Sequence, residues 1–179
     1  MTFSMSTVNL INALFIAAGI GVCGLCFLQI TASVHLRQEV RRYFQIFFLL
    51  IVLYISTHLA RQLMDGLPGS GVRAALYIVT FMEMLAAGFM AEMMSMLVLS
   101  VTKQGKNTKN LVIVLTALLV LHGVLLIVGW CFDLIYYFDG SNVYHRGAGY
   151  LLSNLCPLVM LVIDVALLLR HGRGSFSRF

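Results

Sequence analysis

The sequence predicts an all-α fold, an integral membrane bundle of five transmembrane helices with the amino terminus outside and the carboxyl terminus cytoplasmic. Three observations predict it. Of 179 residues, 60% are hydrophobic and only 11% are charged, against roughly one quarter charged in an average soluble domain. The mean hydropathy is +0.94. The apolar residues gather into five runs, each close to the ~20 residues that a helix needs to cross a bilayer.

The runs place helices over about 8–30, 43–63, 72–101, 110–131 and 150–169, all within one domain over 1–170. They are apolar on every face, whereas strands of a membrane barrel alternate apolar and polar residues. Helices satisfy their own backbone groups without water. The first run lacks the basic start of a secretory signal and is read as a retained helix. The third is the longest, and Pro157 lies inside the fifth, where a kink is expected before Asp164. Residues 171–179 form a tail, read as a cytoplasmic segment that could begin a linker to an output domain.

Charge sets the direction of threading. Arg37, Arg41 and Arg42 follow the first run, Lys103, Lys106 and Lys109 follow the third, and Arg170, Arg173 and Arg178 follow the fifth. By the positive-inside rule these three sites are cytoplasmic. The segment from Phe132 to Gly149, with Trp130 before it, is rich in aromatics and in turn formers such as Asp139-Gly140-Ser141-Asn142. It is the only extramembrane piece large enough to shape an external site.

A net charge of +5 does not indicate nucleic acid, because the basic residues form short clusters between apolar runs without interleaved aromatics. Cys23 and Cys26 form a C-x-x-C inside an apolar helix, with no second pair to complete a metal site. Six of the ten methionines fall between Met82 and Met96 and spread over several faces, as packing residues do. No nucleotide loop, zinc-protease motif or serine elbow occurs, so neither enzyme activity nor a cofactor nor a metal is expected.

The polar residues inside the apolar runs are the candidate site, since ionisable groups at membrane depth need a partner or a purpose. Tyr54, His58, Arg61 and Asp65 are spaced by four, three and four, which places them on one stripe. Thr80, Glu83, Ala87, Met90 and Met94 share a face of the third helix. Tyr54 is expected between His58 and Glu83, with His58 or His122 as the partner of Glu83. Glu92 lies opposite Glu83 around the helix, and Asp164 reaches a similar depth on the fifth. Tyr54, His58, Arg61, Glu83, Met90, Met94, His122 and Asp164 are therefore the candidate ligand-binding or signalling residues. Asn12, Ile16, Gly19, Cys23 and Cys26 form a stripe whose small members predict a close helix contact.

The segment Tyr136-Tyr137-Phe138-Asp139-Gly140-Ser141-Asn142-Val143-Tyr144-His145-Arg146-Gly147, followed by Tyr150, resembles the multi-helix membrane sensor regions of bacterial signalling proteins, chiefly from Gram-positive anaerobes. The resemblance implies a sensor or receptor in the plasma membrane that detects a small molecule or membrane condition. Its partners would be the lipid bilayer, an unknown small molecule or lipid, and a cytoplasmic histidine kinase or diguanylate cyclase output domain, with homodimerisation open and nucleic acid excluded. The alternative is a small transporter or the membrane subunit of a transport complex.

Overall fold

The computed structural model describes residues 7–102 and 108–176. Five helices run α1 (Thr7–Ala32), α2 (Gln38–Met64), α3 (Ser70–Thr102), α4 (Thr108–Cys131) and α5 (Tyr150–Phe176). Each expected helix is present and extends beyond its expected limits or meets them. Lys103, Lys106 and Arg178 lie outside the described residues.

Between α4 and α5 stands a β-hairpin, β1 (Tyr136–Phe138) and β2 (Tyr144–Arg146), paired antiparallel with Tyr137 opposite His145. This departs from a wholly helical chain. The strands are short and aromatic, and their turn carries Asn142 at φ +59°, a conformation that asparagine tolerates better than most residues.

α3 is the central helix and packs against α2 on one side and against α4 and α5 on the other. One apolar core joins Ala91, Val98 and Leu99 of α3 to Leu115 of α4 and to Met160 and Leu167 of α5. A second, at the hairpin end, joins Leu76, Leu126, Ile135, Tyr136 and Phe138. Close backbone approaches occur where glycine permits them. A Cβ on Gly88 would collide with the His122 ring, one on Gly129 with Ile135, and one on Gly147 with the Leu134 carbonyl. Gly19 is different: a Cβ there would meet Ile55 at an ordinary 3.6 Å, so the expected tight contact of α1 is corrected to loose packing on α2.

The interpretation as a lipid-embedded sensor is also corrected. It rested on ionisable groups along the helices that need either a partner or a purpose. The helices partner them among themselves: Glu83 is paired with Arg61 and His58, Glu92 with Thr116, and Asp164 with Ser95. The packing describes a five-helix bundle with buried ion pairs and an internal aromatic cluster. It assigns no bilayer partner, plasma-membrane location, terminal orientation, transport role, signalling role or output domain. By length and composition alone, all five helices suffice to cross a membrane, and their outward faces carry large apolar side chains, among them Phe15, Ile113, Leu151 and Val162. An apolar surface of this extent marks a face that something apolar covers.

Candidate functional site

The site forms where the hairpin sits over the ends of α2, α3 and α5. Helical spacing puts Tyr54, His58 and Arg61 on one stripe of α2, opposite Thr80, Glu83 and Ala87 of α3. Glu83 is the hub. Its carboxylate accepts a hydrogen bond from His58 Nδ1 at 2.8 Å through Oε1, and one from Arg61 Nε at 2.9 Å through Oε2. The side chain of Glu83 is 10% exposed and that of Arg61 17%, so the ion pair is largely withdrawn from solvent.

Those contacts choose the histidine tautomer. A carboxylate only accepts, so the hydrogen of His58 is on Nδ1, and Nε2 is left to accept from the Gln62 amide at 3.0 Å. With Nδ1 committed to Glu83, the 3.2 Å approach of Arg61 Nη2 to the same nitrogen is a contact and not a hydrogen bond. The Tyr54 ring stacks on His58 with centroids 6.4 Å apart.

Arginine and tyrosine alternate around this hub. The Arg61 guanidinium lies 4.8 Å from the centre of the Tyr144 ring, and that of Arg146 lies 4.6 Å from the centre of Tyr150. Both distances suit cation–π attraction. Burial among aromatic neighbours pushes the Tyr144 phenol above its ordinary pKa, so it stays neutral and able to donate. Between these groups is a cavity of about 110 Å³, lined by Tyr54, Arg61, Thr80, Glu83, Tyr144 and Arg146 with Tyr150, Ser153 and Asn154 of α5. Thr80 is 1% exposed, and its hydroxyl has no hydrogen-bond partner. A buried hydroxyl without a partner costs ~1–3 kcal/mol.

The hairpin is fixed over this cavity by its own polar contacts. Asn142 donates its side-chain amide to the carbonyls of Leu67 (2.8 Å) and Gly69 (3.2 Å). The Tyr144 amide donates to Asp65, the Gly66 amide to the Asn142 carbonyl, and Arg73 to the Phe138 carbonyl. The Tyr136 hydroxyl donates to the Tyr77 carbonyl, and Tyr77, Tyr136, Phe138 and Tyr144 pack ring against ring.

Of the expected site residues, Tyr54, His58, Arg61 and Glu83 are brought together. The expected wedge of Tyr54 between His58 and Glu83 is replaced by direct contact. His122 does not reach Glu83; its Nε2 donates to the Met84 carbonyl at 3.1 Å. Asp164 accepts from the Ser95 hydroxyl at 2.9 Å, away from the cavity. Met90 and Met94 do not line it, and Met94 is exposed. Tyr144, Arg146, Tyr150, Ser153 and Asn154 were not among the expected site residues. The available signal was Tyr144 and Arg146 at a spacing of two, which shares one face only if the segment is a strand.

No family model matches the chain, and neither a curated protein nor a solved structure shows significant similarity to it. The resemblance to bacterial sensor regions is therefore without support, and the candidate site stands on its own geometry.

Proposed function

We propose that the chain is a binding protein for a small polar molecule held in the cavity beneath the hairpin. The observation that carries this is the unpartnered Thr80 hydroxyl, buried against a space large enough for a ligand. Around it, Arg61 is held by Glu83 and by the Tyr144 ring, and Arg146 by the Tyr150 ring. Arg61, fixed in this way, is preorganised and loses little freedom on binding. The contacts among the described lining residues pair no nucleophilic hydroxyl with a base, since the Ser153 hydroxyl donates to the Tyr150 carbonyl. That favours binding over catalysis.

The test is a thermal-shift screen of the purified full chain against a library of small polar metabolites. It is run in parallel on Ala87→Trp, which fills the cavity from the α3 side. Ligands that stabilise the parent and not the filled variant support the reading. A set of ligands acting equally on both proteins rejects it.

A further inference from the structure

We infer that the cavity takes a short monocarboxylate of about two to four carbons bearing a second oxygen, a hydroxy or oxo acid. This rests on the binding role just proposed and adds the class of ligand. Charge comes first: two guanidiniums, Arg61 and Arg146, line the cavity with one carboxylate, Glu83. Both oxygens of Glu83 are already occupied, by His58 and by Arg61. Arg146 has no carboxylate partner among the described residues, and its contact is the neutral face of Tyr150. The lining therefore carries a net charge of plus one, on the solvent-exposed Arg146, and no free carboxylate acceptor, which suits a single negative charge. An arginine fork matches the two oxygens of a carboxylate.

Size comes next. A volume of about 110 Å³ is somewhat below the ~150 Å³ of a cavity that takes up benzene, which suits a ligand of a few carbons. Met84 and Ala87 give one wall an apolar character. That wall suits a short carbon chain and not the fully polar, more highly charged surface of inorganic phosphate. The second oxygen is assigned by Thr80, whose buried hydroxyl still needs a partner once the ligand carboxylate is held by the Arg146 fork.

The experiment titrates the purified full chain with glycolate, lactate and pyruvate. Lactamide is the uncharged analogue, propionate lacks the second oxygen, and inorganic phosphate is the alternative anion. Binding is read by calorimetry and thermal shift. The three oxygenated acids are expected to bind saturably, with lactamide and phosphate weaker by about tenfold or more. Arg146→Gln is expected to weaken lactate by about tenfold and Arg146→Lys by less. Thr80→Val is expected to weaken lactate about fivefold and leave propionate unchanged. Each variant is first shown to melt cooperatively without ligand.

Lactamide binding as tightly as lactate, with both lost in Ala87→Trp, overturns the acid class and leaves the cavity a binding site. Lactate binding that survives Ala87→Trp overturns the site itself. A flat response to all six compounds overturns the ligand class, while the metabolite screen decides the binding role separately.

Discussion

At the scale of single residues, one carboxylate holds two helices together. Glu83 accepts from His58 and Arg61 of α2 with both oxygens, so each replacement leaves a different debt. Glu83→Gln keeps a hydrogen-bonding oxygen for Arg61 but loses the charge, and it is expected to cost about 1–2 kcal/mol. Glu83→Leu strands a guanidinium in a largely buried place and is expected to cost about 3 kcal/mol. Combining Glu83→Leu with Arg61→Met is expected to recover part of that loss. Chemical denaturation of the three variants checks this, and additive losses in the double variant would show that the two side chains do not act as a pair. The contact of Gly88 with His122 is of a similar kind. Gly88→Ala forces a methyl group into the imidazole and is expected to cost about 1–3 kcal/mol. His122→Ser removes the obstacle, so Gly88→Ala is expected to cost far less in that background. An equal cost in both backgrounds would place the strain elsewhere.

At the scale of elements, the hairpin is the part that sequence reasoning read as a loop. The strands β1 and β2 are only three residues each, too short for an alternation signal to stand out from a run of aromatics. Their pairing depends on a tertiary support, the carbonyls of Leu67 and Gly69 that Asn142 reaches. Two variants separate the roles of that residue. Asn142→Gly loses the amide bonds but accepts the positive φ, whereas Asn142→Ala loses the bonds and is also strained at φ +59°. The expected order of stability is Asn142, then Gly, then Ala, with Ala lower than the parent by about 2 kcal/mol. Alanine matching glycine would mean that the backbone strain is relieved by a shift of the turn. The same turn should respond to acid. The Asp139 carboxyl is held below its ordinary value of 3.8 first by the hydrogen bond from His145 and then by the Val143 amide. A folded pKa below the unfolded one adds stability above the unfolded value, and that stability is lost as pH falls through the folded value. Asp139→Asn is therefore expected to melt lower than the parent at pH 7, with the gap narrowing as pH falls below the ordinary value of 3.8. A gap of constant size from pH 7 to 3 would rule out the carboxylate as its source.

For the whole molecule, the number, order and approximate ends of the helices were legible because continuous apolar runs leave a helix as the main way to satisfy the backbone. The α2 and α3 halves of the site were legible for a related reason: Tyr54, His58, Arg61, Thr80 and Glu83 interrupt those runs at helical spacing. The hairpin and α5 contributions were not, because Tyr144, Arg146, Ser153 and Asn154 meet the others only through tertiary folding. What the isolated ion pairs were for was also illegible, since a sequence does not show whether a buried acid faces a base, as Glu83 does, or a hydroxyl, as Asp164 does. The resulting distribution is polar within and apolar without. Thr80, Glu83, Glu92, Ser95, His122 and Asp164 are buried. Phe15 is 74% exposed, Ile113 65%, Leu151 81% and Val162 61%. Monomers in water rarely expose contiguous apolar patches beyond a few hundred Å², and here such side chains occur on all five helices. The chain is accordingly expected to self-associate in plain buffer and to become monodisperse when a mild detergent covers those faces, with the Glu83 contacts unchanged. Size-exclusion chromatography with light scattering, with and without detergent, measures this directly. The internal ion pairs give the control: Glu83→Leu is expected to lower the melting temperature in detergent without altering the amount of detergent bound, because that carboxylate faces α2 and not the outer surface. A monodisperse, detergent-free monomer would show that the exposed leucines and valines are tolerated by water and would overturn the need for an apolar cover.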